Sequence, residues 1–164
     1  MYHNELLNTI EHLSQAGKGL LAADESNGTI GKRFDSIGVD NTEDNRRNYR
    51  LLLATTPDLE QYISGVILFE ETFNHKNDDG ISVPELFAQK GILPGIKVDQ
   101  GLIDLASTEG EKITQGLDGL EARLLAFKKR GAKFAKWRNV YSISEFTPSL
   151  VAIKSGAENL ARYA

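Results

Sequence analysis

The run SGVILF (64–69) is the clearest strand signal in the chain, because five of its six residues are apolar or glycine. Similar runs occur at GLLAAD (19–24), LPGIKVD (93–99) and AKFAKWR (132–138). Near-continuous apolar runs are typical of strands that are buried on both faces of a parallel sheet. The four runs therefore predict four strands of one parallel sheet.

Helical patterns lie between and around these runs. They cover residues 4–15, NTEDNRRNYRLLLATT (41–56), DGLEARLLAFKKRG (118–131) and TPSLVAIKSGAENLARYA (147–164). Strands that alternate with helices predict an α/β fold with a parallel sheet. Two polar stretches, HKNDDGISVP after the second strand and DQGLIDLASTEGEKITQG after the third, are predicted to be long loops.

Capping residues set the expected helix limits. Asn41 or Thr42 is predicted to cap the helix over 41–56, and Asp118 the helix over 118–131, which Gly131 ends. The last helix is predicted to start with Thr147 as its cap and Pro148 in the first helical position. Its expected buried stripe consists of Leu150, Ile153, Ala157 and Leu160.

Composition excludes several classes of protein. The 164 residues suit one domain, and a net charge of −4 argues against binding to nucleic acid. The absence of cysteine excludes disulfides and thiolate metal sites, and it fits a reducing compartment. The sequence shows neither a signal peptide nor an apolar run of the roughly 20 residues that a membrane helix needs. We therefore expect a soluble cytoplasmic protein with no membrane partner.

Ionisable residues collect where the predicted strands end. They are Asp24 after the first strand, Glu70 and Glu71 after the second, Lys97 and Asp99 on the third, and Lys136 and Arg138 on the fourth. Side chains alternate across a strand, so the two residues of each pair on the third and fourth strands share a face. In a parallel barrel this end of the strands carries the active site.

This set of charges suits phosphate chemistry. Cations hold a phosphate, and arginine does so with several donors at once. A lysine crowded by other cations loses proton affinity and becomes a usable nucleophile or acid, and a nearby carboxylate can steer that proton. The alternative is that these side chains simply reach solvent at the rim of the sheet, and this alternative suits Glu70 and Glu71 best.

The stretch ADESNGTIGKR (23–33) adds a second phosphate signal. Backbone donors, hydroxyls and cations that follow a strand can surround a phosphate group. The spacing is not that of a Walker loop, since only two residues separate Gly28 from Gly31 and Lys32. The alternative is a glycine-containing loop with a solvated basic pair. The histidines, His3, His12 and His75, lack the spacing of metal ligands, so no metal site is expected.

At these residues the chain closely resembles class I fructose-bisphosphate aldolase, the metal-independent, Schiff-base enzyme of glycolysis. The segments that carry the resemblance run from about Gly17 to Ala164 in the family's order: GKGLLAADES, NTEDNRRNYR, GVILFEETF, GIKVDQG, TQGLDGL, GAKFAKWR and LARYA. The resemblance implies a (β/α)8 barrel and the reversible aldol cleavage of fructose 1,6-bisphosphate to dihydroxyacetone phosphate and glyceraldehyde 3-phosphate. It implies no cofactor.

The resemblance also implies roles for individual residues. Asp24 and Lys136 match catalytic positions, and Lys136 would lie beside the Schiff base and lower the pKa of the nucleophilic amine. The implied substrate- and phosphate-binding residues are Ser26, Thr29, Arg33, Lys97 and Arg138, with Arg46 as a further candidate. The partner would be a phosphorylated sugar. The resemblance further implies a homo-oligomer, which in the family is a tetramer, or pairing with a complementary barrel half.

The matched segments correspond to the N-terminal half of such a barrel, about four βα units, as one partial domain over residues 1–164. The family's next glutamate-bearing strand and its Schiff-base lysine are expected beyond Ala164. Four strands cannot close an eight-stranded barrel. The alternatives are therefore a non-catalytic half-barrel that dimerises or pairs with a complementary half, and a different phosphosugar enzyme on the same scaffold.

Overall fold

The computed structural model describes residues 3–164, which form two compact units. One unit holds the residues up to Lys97 together with Ala126–Ala135, and the other holds Val98–Leu125 with Lys136–Ala164. The single partial domain expected over residues 1–164 stays a prediction.

The elements follow one another as the sequence pattern indicated, with additions. They are α1 (His3–Leu13), β1 (Gly19–Ala23), α2 (Asn27–Asp35), α3 (Glu43–Thr55), β2 (Ile63–Leu68), α4 (Val83–Gln89), β3 (Leu93–Lys97), β4 (Leu102–Asp104), β5 (Lys112–Thr114), α5 (Leu120–Lys129), β6 (Phe134–Lys136) and α6 (Leu150–Tyr163). Short 3-10 helices cover Leu59–Gln61 and Glu70–Asn74.

The four predicted strands form one sheet in the order β1-β2-β3-β6. The pairs β1–β2 and β2–β3 are parallel. Beside β3, the amide of Lys133 donates to the carbonyl of Pro94 at 2.8 Å, and the amide of Val98 donates to the carbonyl of Lys136 at 3.0 Å. Because these bonds progress in the same chain direction on both strands, β6 also runs parallel to β3.

The two faces of the sheet differ in burial. On one face Val66, Leu68 and Ile96 are almost completely buried. On the other face the ring of Phe134 lies directly over Gly95, while Leu20 is half exposed. The expectation of strands buried on both faces is therefore met on one face and only partly on the other within residues 3–164.

Two helices and two strands were not predicted. Helix α2 occupies the stretch for which a glycine-containing loop was the alternative, α4 begins at the end of the predicted loop HKNDDGISVP, and β4 and β5 pair as an antiparallel hairpin inside the long loop after β3. Helix α4 begins after the N-cap Ser82, whose hydroxyl accepts from the Glu85 amide, and it packs against β3 and α3. Glycine and polar residues interrupt the apolar pattern in these stretches, so the pattern does not indicate short helices or strands there.

The predicted caps give mixed results. Thr42 caps α3, because its hydroxyl accepts from the Asn45 amide at 3.2 Å. Asp118 was wrong as a cap, since α5 begins only at Leu120. Thr147 and Pro148 were wrong as the start of α6, because Ser149 is the N-cap and accepts from the amide of Ala152.

The buried face of α6 also differs from the predicted one. Leu150, Ile153 and Leu160 are exposed, and Ala157 lies on the same open side. The helix instead buries a narrow face, which consists of Ala152, Gly156 and Asn159. The Nδ2 of Asn159 donates to the Thr114 carbonyl at 2.9 Å. The buried face of α6 therefore includes a polar contact, which the spacing of apolar residues could not indicate.

Candidate functional site

The turn from β1 into α2 carries the predicted phosphate-binding hydroxyls. Ser26 is the N-cap of α2, and its Oγ lies 3.1 Å from the Oγ1 of Thr29. The Ser26 hydroxyl makes no capping hydrogen bond to the helix. The first turn of any α-helix has amide groups without intrahelical acceptors, and these amides attract anions. The structure thus brings Ser26 and Thr29 together at a helix N-terminus.

Arg33 lies on the same helix and is ion-paired. Its Nη1 donates to the carboxylate of Glu25, whose other oxygen accepts from Nη1 of Arg50. The side chain of Arg33 is 59% exposed, whereas Glu25 and Arg50 are almost buried. Burial opposes ionisation of Glu25, but its hydrogen bond and charge pairing with Arg50 outweigh burial, and its pKa lies below the usual value. Because the side chain of Arg33 is largely exposed, it can contact a ligand and keep its ion pair with Glu25.

Arg46 was predicted as a further ligand, but its guanidinium is occupied inside the protein. Its Nε and Nη2 donate to the two carboxylate oxygens of Glu71 at 2.8 and 2.7 Å. Its Nη1 donates to the carbonyl and the Oδ1 of Asn41, each at 3.0 Å. Glu71, interpreted from the sequence as a rim residue, is therefore part of a specific ion pair.

His75 lies next to this ion pair. Its Nε2 is 3.9 Å from Glu71 Oε2, the residue is 3% exposed, and neither ring nitrogen has a hydrogen-bond partner among the described residues. Burial is the main reason that its pKa falls below the ordinary 6.5, which the charge of Glu71 only partly opposes. The imidazole is thus held neutral near neutral pH.

Asp24 and Lys97 lie in the same unit, at the C-terminal ends of β1 and β3, the two strands that flank β2. Asp24 directly follows β1 and is buried, and Lys97 is the last residue of β3 and half-buried. Alternation puts Lys97 on the same face as Gly95, which Phe134 covers. Lys97, the predicted substrate-binding lysine, thus lies on the face of the sheet that carries Gly95.

Lys136 and Arg138 belong to the other unit. Lys136 is the last residue of β6 and half-buried, and Arg138 is exposed two residues later. Between them, the ring of Trp137 stacks on Tyr163 with centroids 5.2 Å apart. The Arg138 carbonyl accepts from the Thr114 hydroxyl at 2.6 Å, which fixes the backbone after the strand. The side chain of Trp137 is thus held by its stacking on Tyr163.

The sequence pattern did not indicate the ion pair between Glu25 and Arg50, or the contacts of Asn41 and Glu71 with Arg46. The only available signal was the density of arginine in NTEDNRRNYR, because buried arginines require carboxylate partners. Within residues 3–164 no group of three His, Asp or Glu side chains is arranged to hold a metal ion. Among the helices in this range, none has both the length and the apolar character required to cross a bilayer.

Comparison with known proteins gives the family of this chain. The family model described as fructose-bisphosphate aldolase class-I matches residues 5–164. The chain belongs to the class-I fructose-bisphosphate aldolase family. The cytosolic fructose-bisphosphate aldolase 5 of Arabidopsis thaliana is 53% identical over 163 residues, and aldolase 1 of Caenorhabditis elegans is 55% identical over 163 residues.

A solved aldolase also matches the fold. The fructose-bisphosphate aldolase of Plasmodium falciparum, in complex with TRAP and a small-molecule inhibitor, superposes with a TM-score of 0.95 at 51% identity. The match covers 98% of this chain and 47% of that chain. The plant and nematode aldolases match over 99% and 98% of this chain and over 46% and 44% of their own lengths. The predicted family and α/β fold are confirmed, and the chain spans slightly less than half of the length of these aldolases.

Proposed function

We propose that this chain supplies part of the active site of an aldolase that reversibly cleaves fructose 1,6-bisphosphate to dihydroxyacetone phosphate and glyceraldehyde 3-phosphate. The observation that supports the proposal best is the pair of hydroxyls at the helix start after β1, in a chain that belongs to this family. Ser26 and Thr29 lie 3.1 Å apart at the start of α2, and Arg33 follows on that helix.

The binding residues in this proposal act through charge and hydrogen bonds. The hydroxyls of Ser26 and Thr29 and the first-turn amides of α2 donate to one phosphate, whose charge the helix dipole also stabilises. Arg33, Lys97 and Arg138 supply positive charge for the phosphorylated sugar. Arg46 does not contact the substrate, because Glu71 and Asn41 occupy its donors.

The catalytic residues in this proposal are Asp24 and Lys136. Lys136 carries a charge that lowers the pKa of the amine that forms the imine with the substrate, and Asp24 steers the proton during carbon–carbon cleavage. In this mechanism a lysine imine serves as the electron sink for the cleaved bond, so the chemistry needs no cofactor.

Titration of this chain with fructose 1,6-bisphosphate, followed by backbone amide NMR, tests the binding part of the proposal. The amides of Ser26, Thr29 and Lys97 should shift in a saturable way, whereas unphosphorylated fructose at the same concentration should leave them unchanged. Equal responses to the two sugars would refute the assignment of phosphate binding to the start of α2.

A second candidate role is a half-barrel that dimerises or pairs with a complementary half. Exposed apolar side chains in each unit favour it: Leu6 and Ile10 of α1 are 60% and 59% exposed, and Leu150 of α6 is 65% exposed. Exposed apolar patches mark surfaces that another protein surface covers. In sedimentation velocity experiments, a second copy or the remaining half should convert the chain to a larger species, and a monomer at all concentrations would exclude the homodimer.

A cytosolic location is part of the proposal. The Arabidopsis thaliana relative is a cytosolic enzyme at 53% identity. A chloroplastic aldolase of Chlamydomonas reinhardtii is 52% identical over 163 residues, so identity alone does not separate the compartments. Fractionation with an antibody against the chain should find it with cytosolic markers, and recovery with organelles would contradict the location.

A further inference from the structure

Arg46 has a different task from the one its charge suggested. A guanidinium has five N–H donors, and the bonds from Nε, Nη1 and Nη2 to Glu71 and Asn41 use four of them. Its side chain is only 13% exposed. A side chain that is almost fully occupied and nearly buried has little left to offer a ligand.

The same two partners of Arg46 also bind the start of α2. Nδ2 of Asn41 donates to the Asn27 carbonyl at 3.0 Å, and Nδ2 of Asn27 donates to Glu71 Oε1 at 3.3 Å. Asn27, Asn41, Arg46 and Glu71 thus form a closed ring of hydrogen bonds, which we call the Asn27 ring. It joins the first residue of α2 to α3 and to the 3-10 helix after β2.

Close packing confirms that the ring restrains α2. A Cβ placed on Gly31 would lie 2.6 Å from Nδ2 of Asn41 and 3.2 Å from its Cγ. The helix therefore approaches Asn41 so closely that the packing leaves no space for a side chain at position 31. The backbone between Ser26 and Gly31 is held both by hydrogen bonds and by steric contact.

The contact between Arg46 and Glu71 favours the charged form of both side chains. The hydrogen bonds from Arg46 outweigh the burial of Glu71 and keep its pKa below the usual value, and the same bonds raise the pKa of Arg46. Without Arg46, the Glu71 carboxylate would be an uncompensated negative charge beside Asn27. That charge would compete with a phosphate for the amides at the start of α2.

We propose that Arg46 and Glu71 are positioning residues, which act through the Asn27 ring to aim Ser26, Thr29 and the first-turn amides of α2 at a phosphate. The proposal rests on the proposed function, in which this helix start binds a substrate phosphate. Neither Arg46 nor Glu71 contacts the ligand. The ring raises affinity because the donors are already ordered before binding, which reduces the entropy lost on association.

The variant Glu71→Gln separates positioning from direct binding, because the two roles predict opposite signs. If Arg46 were a ligand restrained by Glu71, removal of the carboxylate charge would release a cation and tighten phosphate binding. If Arg46 positions α2, the same change loosens the ring, and the Kd for inorganic phosphate should rise roughly fivefold to tenfold. Arg46→Lys should also weaken binding, although it keeps the charge, since lysine lacks the planar fork.

The experiment measures two quantities on this chain and its variants: the Kd for inorganic phosphate from the amide shifts of Ser26 and Thr29, and amide hydrogen exchange. Exchange of the Ile30 amide, which donates to the Ser26 carbonyl, and of the Gly31 amide should accelerate in Glu71→Gln, while the amides of Val66 and Ile67 in β2 keep their rates. Arg47→Lys is the matched control, because Arg47 is the adjacent arginine and its Nη1 bonds to the Lys76 carbonyl outside the ring.

Each outcome decides the proposal. Weaker phosphate binding with faster exchange confined to the amides of Ile30 and Gly31 supports it, and tighter or unchanged binding in Glu71→Gln overturns it while the proposed phosphate site stands. If the unaltered chain gives no phosphate shift at Ser26 and Thr29, the proposed function fails and the positioning role fails with it. Should Glu71→Gln unfold the chain, Asn27→Ser removes one bond of the ring at an exposed position and must give the same pattern.

Discussion

The contact between Gly95 and Phe134 allows a sharp test of the sheet packing. A methyl group on Gly95 would lie 2.5 Å from Cε2 and 2.6 Å from Cε1 of the Phe134 ring, with Cζ at least as close. Such distances are far below van der Waals contact, so Gly95→Ala must displace the ring or the strand. Overpacking of a well-packed site costs about 1–3 kcal/mol, which we expect as the loss in free energy of unfolding.

Equilibrium urea denaturation, followed by circular dichroism, measures this loss as a lower midpoint with unchanged slope. Gly19→Ala is the matched control, since Gly19 also lies in the sheet but has no atom within 4 Å of its added Cβ. The control should be neutral or stabilising by up to about 1 kcal/mol, because alanine restricts the unfolded chain. The double variant Gly95→Ala, Phe134→Leu should recover part of the loss. A Gly95→Ala chain as stable as the Gly19→Ala chain would refute the packing argument.

Three further variants test buried polar groups. Glu25→Ala leaves the buried Arg50 without its carboxylate partner, so the free energy of unfolding should drop by about 3–5 kcal/mol. A change below about 1 kcal/mol in urea denaturation would contradict this. Burial lowers the pKa of His75 below 6.5, so the unfolded chain takes up a proton that the folded chain does not, and the free energy of unfolding should fall as the pH drops below about 6.5. His75→Gln should reduce this dependence of stability on pH, and an unchanged slope would exclude His75 as its cause. Asn159→Ala leaves the Thr114 carbonyl without its donor and should cost about 1–3 kcal/mol by thermal denaturation, whereas an unchanged melting temperature would show that this bond contributes little.

The sheet could be predicted from the sequence because its strands are short, nearly continuous apolar runs. The run SGVILF gave β2 within one residue at each end, and the predicted first and third strands overlap β1 and β3. The fourth predicted strand, AKFAKWR, is longer than β6, because only Phe134–Lys136 pair as a strand. Parallel pairing followed from the alternation of strands and helices.

The helix start at Ser26 shows what the pattern could not reveal. Gly28 and Gly31 in α2 argue against a helix by propensity, yet Asn41 packs where a side chain at position 31 would lie. This close approach favours glycine for tertiary reasons. A single sequence shows the low propensity and not the neighbour that explains it, so the sequence pattern did not predict a helix here.

The candidate site was partly predictable for a related reason. Residue type and position nominated Ser26 and Thr29, because hydroxyls after a strand suit phosphate whatever their partners; the structure places these hydroxyls 3.1 Å apart, and their role in phosphate binding stays a prediction. The role of Arg46 depended on its partner Glu71, which lies 25 residues away in the chain. Charge alone cannot distinguish an arginine that faces a ligand from one that is occupied by a carboxylate, so only the structure separates these roles.

Intact mass after borohydride reduction with dihydroxyacetone phosphate tests the proposed chemistry most directly. The protein that carries this sequence is purified from its native source, treated with both reagents, and compared with a sample that received borohydride alone. The account predicts one triose phosphate per polypeptide, because borohydride reduces the lysine imine of a class-I aldolase to a stable amine. An unchanged mass would contradict the aldolase proposal, and the half-barrel role would then be the one to pursue.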